Sequence, residues 1–312
     1  MPSDALHRWA PEAVRGLFAD LQTAQVVVAP EQDGPGSWAG APSAVLADGE
    51  VHLAYRLRRP VGQGRGFANV VARSGDGVHF ETVATLRRED FGGDSLERPC
   101  LVRTPHGRWR IYVSVATPGT KHWRVDLLEA DRVEDLAAAE HRTVMPGDEH
   151  VAVKDPVIRL VDDTWHAWAS RHPLDDPDAT DRMTTDHATS PDGVTWAWQG
   201  TALAGRPGEW DARGARVGDV LLDQGLAFYD GRATAEQNWE EQTGLATLDT
   251  LGSWSATGDR PVGASPHGLG GLRYVTAVPL PDGAVRLYVE VTREDGAHDL
   301  RTVLVPADGT RA

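Results

Sequence analysis

Apolar and polar positions along the chain repeat in one order. A short apolar run, a polar turn and a second run of alternating apolar and polar residues occur three times, centred on Pro42, Pro99 and Pro156. The two intervals are equal, since 99 − 42 = 57 and 156 − 99 = 57. Two weaker copies follow, around Tyr229 and Tyr288. Because such alternation predicts β-strands, the chain consists of five units of roughly 50 to 60 residues with several strands in each.

A fixed period of this length, built from strands, is typical of a β-propeller. Asp-Gly turns separate the strands, and the pattern Ser-x-Asp-Gly-x-x-aromatic occurs twice, at 74–80 and 190–196. We therefore predict an all-β fold, a five-bladed β-propeller with a short N-terminal helix. Two β-sandwiches, the rival architecture, do not account for the equal intervals.

The first thirty residues predict how the ring closes. The segment AQVVVAP at 24–30 is apolar and β-branched and has no neighbouring strand, so we expect it to join the C-terminal strands. Before it, apolar residues at helical spacing follow a proline suited to a first turn: Pro11, Val14, Leu17, Phe18 and Leu21. The predicted organisation is a helical segment at 1–23 and one propeller domain at 24–312.

Composition narrows the class of protein. The 312 residues carry a net charge of −15, whereas a phosphate backbone requires a basic partner, so we do not expect a nucleic-acid ligand. No apolar run approaches the ~20 residues of a membrane span, and the N-terminus lacks the layout of a signal peptide. Cys100 is the only cysteine, so no intrachain disulfide can form. We expect a cytoplasmic protein without a membrane partner.

Motifs for metals and cofactors do not appear in the sequence. Histidine and cysteine spacings typical of zinc sites are missing, as are Gly-rich nucleotide-binding motifs and the Gly-x-Ser-x-Gly turn of serine hydrolases. The acid-rich stretch at 175–186 lacks the spacing of an EF-hand loop, and we interpret it as an exposed insertion. The sequence therefore predicts neither a metal nor an organic cofactor.

Charged residues stand where the innermost strand of several units begins. The two positions before the aligned proline hold Gly40-Ala41 in the first unit, Glu97-Arg98 in the second and Lys154-Asp155 in the third. The fourth and fifth units offer Asp211, Arg216, Arg273 and Tyr274. Since the innermost strands of a propeller line a central funnel, we expect these groups to converge. Acid–base chemistry on a sugar needs two carboxyl groups facing one bond; the alternative is that the charged pairs are structural ion pairs between neighbouring blades.

The chain resembles the five-bladed propeller glycosidases of families 43, 32, 68, 117 and 130 over about residues 36 to 300. The resemblance rests on Glu97-Arg98-Pro99, Lys154-Asp155-Pro156, the two Ser-x-Asp-Gly turns, and FYDGRATAEQNWEEQTGLA at 228–246. It implies a furanosidase or related glycoside-active enzyme with acidic residues on the inner strands of the first three blades. Families 43 and 32 carry an aspartate at the start of the first blade, acting as base or nucleophile, where this chain has Gly40-Ala41-Pro42.

By matching position, the resemblance assigns Glu97 and Asp155 as the catalytic pair, and Asp211 is a third candidate on proximity alone. We interpret the basic residues near the funnel, together with a tyrosine, as substrate-binding: Arg98, Lys154, Arg216, Arg273 and Tyr274. A cluster of cations in an acidic protein indicates an anionic group on the ligand, such as a uronate carboxylate or a phosphate. Alternatively, each arginine neutralises a neighbouring carboxylate.

Three further residues are candidate sugar contacts. His122 and Trp123 fall in a loop expected near the funnel mouth, where an indole can stack on a sugar face and an imidazole can act as an acid. Tyr229, beside Asp230 and Arg232, can also face the funnel. The alternative for each is a packing or turn role. Glu240 and Glu241 alternate faces if they lie on a strand, so at most one points inward, and we interpret both as scaffold.

These observations predict an exo-acting glycoside hydrolase whose partner is a small oligosaccharide or glycoconjugate, with a furanoside or an anionic sugar. One alternative is a phosphate-dependent phosphorylase, in which phosphate replaces the carboxylate base. The other is a non-catalytic carbohydrate-binding propeller.

Overall fold

The computed structural model describes residues 9–19 and 24–307, which form one α-helix, three short 3₁₀ turns and twenty β-strands. Helix α1 spans Pro11–Phe18, and the 3₁₀ turns span Arg88–Phe91, Val133–Ala138 and Leu222–Gln224. The first unit contains Trp38–Ala47 (β2), Glu50–Arg58 (β3), Gly66–Ser74 (β4) and Glu81–Arg87 (β5). The second contains Leu96–Arg103 (β6), Trp109–Ala116 (β7), Trp123–Ala130 (β8) and His141–Met145 (β9).

The third unit contains Val151–Val161 (β10), Thr164–Pro173 (β11), Thr184–Ser190 (β12) and Ala197–Leu203 (β13). The fourth contains Ala215–Leu221 (β14), Leu226–Gly231 (β15), Gln242–Thr250 (β16) and Ser253–Thr257 (β17). The fifth contains Leu272–Pro279 (β18), Val285–Thr292 (β19), His298–Val305 (β20) and the N-terminal strand Gln25–Val28 (β1). Strands within a unit pair antiparallel with their neighbours, so the fold is nearly all-β and is built from four-stranded sheets.

The fifth unit takes its last strand from the beginning of the chain. Strand β1 pairs antiparallel with β20, with Gln25 opposite Thr302 and Val28 opposite Leu300. The fifth and first units meet at one parallel pair, Trp38 and His298, which joins them into an eight-stranded sheet. The N-terminal strand therefore forms an edge of the fifth unit.

Helix α1 covers the apolar core between the fourth and fifth units. Val14 and Phe18 are buried there, and the Phe18 ring meets Phe228 edge-on with 6.3 Å between centroids. Leu21, the last residue of the predicted helical pattern, lies outside the described residues. No helix in the described part of the chain has the length and apolar character needed to cross a membrane.

Apolar side chains join each unit to the next one. Separate clusters of buried residues connect the first unit with the second, the second with the third, the third with the fourth, and the fourth with the fifth. A further cluster, which includes Leu53 and Tyr288, connects the fifth unit with the first. Each unit thus buries its two faces against two neighbours, and the apolar contacts form a closed ring.

The two Ser-x-Asp-Gly turns have the same structure. Ser74 Oγ accepts a hydrogen bond from the Gly77 N–H at 2.9 Å, and the second copy repeats this bond with Ser190 and Gly193. Such side-chain bonds to the backbone stabilise tight turns. A tyrosine of another unit holds each turn, since Tyr288 donates to the Gly77 carbonyl and Tyr112 to the Gly193 carbonyl.

Every unit has a β-bulge in its first strand. The registers shift within 40–43, 96–99, 154–157, 217–219 and 273–276. Three bulges place a residue other than glycine in the left-handed region: Ala41 and Asp155 at φ 53° and Tyr274 at φ 56°. This conformation costs about 1–3 kcal/mol for such residues and is concentrated at functional sites. The bulges therefore mark the part of the fold where side chains have been re-aimed.

Candidate functional site

A cavity of about 350 Å³ lies where the first strands of the units converge. Seven of its lining side chains are cationic: Arg56, Arg65, Lys121, Lys154, Arg216, Arg232 and Arg273. Four are acidic: Asp94, Glu97, Asp181 and Glu241. Trp123, Trp239, Tyr274 and His172 are among the remaining lining residues. The lining thus has more cations than carboxylates in a chain whose net charge is −15, and buried carboxylates outside the lining also pair with Arg56, Arg216 and Arg273.

Glu97 reaches the cavity from the first strand of the second unit. Its side chain is buried, and Oε2 accepts a hydrogen bond from Arg56 Nη1. Arg58 Nη1 lies 3.7 Å from the other carboxylate oxygen. Glu97 therefore lines the cavity as an ion-paired carboxylate.

Asp155 lies behind the cavity wall, with no exposed surface. Its Oδ1 accepts a hydrogen bond from the Arg98 N–H at 3.2 Å, and Oδ2 lies 3.4 Å from both Arg216 Nη1 and Tyr274 Oη. Burial alone would raise the pKa of Asp155, but Lys154 and Arg216 hold it below its ordinary value. The carboxyl group is therefore ionised at neutral pH.

Lys154 stands between Asp155 and the cavity. Its Nζ lies 3.6 Å from Asp155 Oδ2, beyond hydrogen-bond distance, and 5.0 Å from the centroid of the Trp123 ring. Burial lowers the pKa of Lys154 to about 8, although Asp155 opposes the shift. Burial, together with the Lys154 charge, lowers the pKa of His172 to about 3, so this imidazole is neutral at physiological pH.

Arginines from the fourth and fifth units form a network with buried carboxylates. Arg216 donates to Asp230 Oδ2 at 3.1 and 3.0 Å. Arg273 donates to Glu241 at 2.7 Å and to Glu290 Oε1 at 3.0 and 2.8 Å. Burial would raise the pKa of Glu241, but the neighbouring arginines lower it, whereas burial raises the pKa of Asp230 to about 6 against the opposing effect of Arg216.

Glu290 fills the space next to the first bulge of the chain. A Cβ added at Gly40 would lie 2.1 Å from Glu290 Oε2, and the same oxygen accepts a hydrogen bond from the Ala41 N–H at 2.8 Å. This carboxylate has no exposed surface and also binds Arg56 and His298. At this point of the first unit, the carboxylate beside the strand thus comes from the fifth unit.

The loops above the cavity add further contacts. Lys121 Nζ donates to the Pro177 carbonyl at 3.0 Å and to Thr180 Oγ1 at 3.3 Å, which ties a loop of the second unit to the acid-rich loop of the third. Trp239 is 39% exposed at φ 76°. Its ring lies 4.6 Å from the Arg58 guanidinium carbon.

The structure brings together six of the residues singled out in the sequence: Glu97, Trp123, Lys154, Arg216, Arg273 and Tyr274 all line the cavity. Asp155 lies directly beneath them. Four others lie elsewhere. Asp211 accepts hydrogen bonds from Arg206 at 3.0 and 2.9 Å and from Tyr229 Oη at 2.7 Å, away from the cavity lining.

Arg98 and His122 also have other partners. Arg98 Nε donates to the Pro42 carbonyl at 3.1 Å, which joins the first and second units. His122 Nδ1 lies 3.0 Å from Thr117 Oγ1, and this histidine lines an adjacent cavity of about 620 Å³. Sequence reasoning did not single out Arg56, Arg65 or Asp181, nor Trp239. Glu241 lines the cavity although it was interpreted as scaffold, and Arg232 donates to it.

No group of three or more His, Cys, Asp or Glu side chains among residues 9–19 and 24–307 has an arrangement that could hold a metal ion.

Comparisons with known proteins identify the fold. The sequence matches no protein-family model and no curated protein. Solved structures match over most of the chain. A thermostable family-43 glycoside hydrolase superposes with a TM-score of 0.66 at 16% identity, covering 89% of this chain and 91% of the other. The β-1,2-mannobiose phosphorylase of Listeria innocua gives a TM-score of 0.64 at 17% identity, covering 90% and 93%.

A glycosyl hydrolase from Bacteroides ovatus gives a TM-score of 0.63 at 15% identity, covering 91% of this chain and 87% of the other. The chain therefore has the fold of propeller-type glycoside hydrolases and phosphorylases.

Proposed function

We propose that the protein is a carbohydrate-active enzyme that cleaves a glycosidic bond of a small, anionic glycoside, with hydrolysis as its reaction. The charge of the cavity carries this proposal. Seven cations and four carboxylates line the cavity, in a fold shared with glycoside-cleaving enzymes. Because arginine and lysine bind carboxylates and phosphates through charge-assisted hydrogen bonds, a ligand with an anionic group complements this lining.

Several cationic side chains at the cavity have hydrogen-bonding capacity left for a ligand, since Arg56 and Arg232 as well as Arg65 have an Nε without a hydrogen-bond partner within the described part of the chain. Arg65 lines the cavity, and its buried Nε has no hydrogen-bond partner within the described part of the chain. Lys154 Nζ is beyond hydrogen-bond distance from its nearest carboxylate. An unpaired buried donor costs about 1–3 kcal/mol, so an anionic group that accepts a hydrogen bond from such a donor would relieve that cost.

Two aromatic rings at the cavity suit the apolar faces of a sugar. Trp123 and Trp239 both line it, and Trp239 keeps more than a third of its surface exposed. The volume of about 350 Å³ is near the lower end of ordinary ligand pockets. A pocket of this size favours an exo-acting enzyme that holds one terminal sugar over one that binds the middle of a long polymer.

The finer architecture belongs to the same proposal. We propose that the five units are the blades of a five-bladed propeller and that the cavity is its central funnel. The cyclic order of the apolar clusters and the bulge at the start of each unit support this arrangement. The catalytic groups would then come from the inner strands, where Glu97 and Asp155 were expected.

Phosphorolysis is a second candidate reaction. It is favoured by the first unit, where Gly40 and Ala41 supply no carboxylate base while the cavity can hold phosphate. In that reaction inorganic phosphate attacks the sugar in place of water, so the enzyme needs one proton donor and cations that position the phosphate.

Turnover of a substrate panel tests both reactions. Nitrophenyl furanosides, pyranosides, uronides and phosphorylated glycosides would be assayed with and without inorganic phosphate, for the wild type, Arg65→Met and the surface control Arg73→Met. We expect turnover of anionic members only, and a higher KM for Arg65→Met but not for Arg73→Met. Dependence on phosphate selects phosphorolysis. Preference for neutral glycosides would contradict the assignment of an anionic substrate, and absence of any turnover would contradict an enzymatic function.

A further inference from the structure

Two residues in the left-handed conformation meet beside the cavity. Asp155 and Tyr274 occupy the bulges of the third and fifth units, and Tyr274 Oη donates to Asp155 Oδ2 at 3.4 Å. A positive φ is a genuine outlier for a bulky residue such as tyrosine. The contact between the Tyr274 phenol and the Asp155 carboxylate thus joins two residues whose backbone conformation is strained.

The phenol lies in a strongly cationic environment. Tyr274 lines the cavity with only 1% of its surface exposed, and the guanidinium carbons of Arg216, Arg273 and Arg56 lie 3.8, 5.2 and 5.7 Å from its ring centroid. Burial raises the pKa of Tyr274, whereas Arg216 opposes the rise. The hydroxyl therefore keeps its proton in the resting protein and needs a base in order to react.

Asp155 lies where a base could take the proton of the Tyr274 hydroxyl. It has no exposed surface, so it does not reach a ligand directly, but it is ionised and in contact with the phenol. The Arg98 N–H orients its other oxygen. A nucleophile, a base within reach of it and a group that orients the base form the general arrangement of covalent catalysis, and the distances are commonly longer before substrate binds.

The cavity has no better nucleophile to offer for an anionic sugar. Glu97, Glu241 and Asp181 are each paired with arginine. Asp94, the fourth carboxylate of the lining, is exposed and accepts a hydrogen bond from the Gly119 N–H at 3.0 Å. A carboxylate would also meet the negative charge of the substrate, and two like charges at 4 Å repel by about 4 kcal/mol at an effective dielectric constant of 20. A neutral phenol avoids this repulsion, as in the glycosidases that use tyrosine.

We propose that Tyr274 is the nucleophile that attacks the anomeric carbon, with Asp155 as its base and Lys154 as the acid that protonates the leaving oxygen. This inference rests on the proposed function and deepens it. In the first step the Tyr274 Oη–carbon bond forms and the bond to the leaving oxygen breaks. Asp155 takes the phenol proton, and the Lys154 ammonium gives a proton to the leaving oxygen.

The second step restores the protein. Water attacks the anomeric carbon, and the bond to Tyr274 Oη breaks. The neutral Lys154 amine takes a proton from the water, and Asp155 returns its proton to Tyr274. Two displacements at one carbon give overall retention of anomeric configuration. This outcome separates the mechanism from a single displacement by water or phosphate.

The first measurement uses the wild-type protein and an anionic glycoside found by the panel. Proton NMR of the initial product identifies its anomeric configuration, and a 2-deoxy-2-fluoro glycosyl fluoride of the same sugar traps the intermediate for peptide mass spectrometry. We expect retention and one adduct, on the peptide that contains Tyr274. Inversion, or an adduct on a carboxylate, would overturn the inference while leaving the proposed function intact. Absence of turnover of every anionic glycoside would overturn both.

The second measurement compares variants whose folding is checked by circular dichroism. Tyr274→Phe should reduce kcat/KM by about 10³-fold or more, as expected for loss of a nucleophile. Asp155→Asn should reduce it by about 10²–10⁴-fold, as expected for loss of a general base. Tyr55→Phe, in the apolar core between the first and fifth units, is the matched control and should be unchanged. Activity of Tyr274→Phe within about tenfold of wild type would exclude the tyrosine nucleophile.

The pH profile tests the acid. Lys154 must carry its proton in the first step, and its pKa is lowered to about 8. We therefore expect kcat/KM to fall above about pH 8 in the wild type. Lys154→Met should lose this basic limb, and it should retain more activity on substrates with a good leaving group. A profile that is flat from pH 7 to 10 would overturn the role of Lys154.

Discussion

Replacing Glu290 with glutamine removes one charge from the most heavily bonded carboxylate beside the cavity. Oε2 accepts from the Ala41 N–H at 2.8 Å and from Arg56 at 3.0 Å. Oε1 accepts from Arg273 at 3.0 and 2.8 Å and has His298 Nδ1 at 2.7 Å. Glutamine has nearly the same shape, so the change leaves no cavity. The NH₂ group of the glutamine would nevertheless lie against a hydrogen-bond donor, whichever of the two carboxylate oxygens it replaced.

The expected loss follows from the charges that remain. Two buried arginines keep their charge after the substitution, and breaking a buried pair by removing one partner costs about 3–5 kcal/mol. With an m-value of about 3 kcal/mol/M in urea, the unfolding midpoint should fall by roughly 1–1.7 M at unchanged slope. Glu294→Gln, on the exposed turn that follows the same strand, should leave the midpoint unchanged.

Urea unfolding followed by tryptophan fluorescence at pH 7 measures this difference. A fall of less than about 0.3 M in the midpoint of Glu290→Gln would amount to less than about 1 kcal/mol. That result would refute the argument that the carboxylate offsets two buried cations, because the network would then tolerate a neutral amide among its donors.

Three further outcomes are expected. Gly40→Ala should destabilise the fold by about 1–3 kcal/mol in thermal or urea unfolding, because its Cβ would lie 2.1 Å from Glu290 Oε2; Gly75→Ala, with no atom within 4 Å of the added Cβ, is the control. The urea midpoint, measured from pH 7 to pH 3, should decrease once the pH is below about 4.5, because the folded-state pKa of Glu241 lies below its ordinary value. Its contribution is therefore present above the unfolded pKa of about 4.3 and is lost as the pH falls. Trp239→Ala should raise KM for the panel substrate about 2- to 10-fold with kcat nearly unchanged, the size of one aromatic contact; an unchanged KM would show that this ring does not touch the sugar.

The repeat pattern predicted the units well because it is a local property of the chain. Each unit needs its own alternating strands and turns, so the equal spacing of Pro42, Pro99 and Pro156 appears directly in the sequence. The first strand of a unit pairs with the second strand, which is adjacent to it in the chain. Predicting this pairing therefore needs no long-range information. The four-stranded sheets of the structure agree with this part of the prediction.

The site was predicted in part, and the alternation of side chains along each strand explains much of the limit. Side chains alternate across a strand, so only one member of each charged dipeptide lines the cavity: Glu97 but not Arg98, and Lys154 but not Asp155. Asp211 was chosen because it precedes the fourth inner strand in sequence. It lies elsewhere, since the segment before β14 turns toward Arg206.

The arginines that surround the cavity from second strands and loops gave no recognisable signal. Arg56 lies within an ordinary alternating strand, and Arg232 directly follows β15, whose final Asp-Gly pair has the sequence of a turn. Their side chains reach the cavity because the units close into a ring, and the strand pattern does not show which side chains of second strands and loops then point inward. The same closure sets Asp155 and Tyr274, 119 positions apart, in contact.

The pairing of β1 with β20 bears on how the protein is made. Gln25 and its partner Thr302 are 302 − 25 = 277 positions apart. At about 5–20 residues per second, a ribosome needs roughly 14–55 s to deliver the partner after the first strand has been synthesised. During that interval an apolar strand has no sheet to join, and unpaired strands invite association with other chains. The first strand to be synthesised is thus among the last to find its place in the sheet.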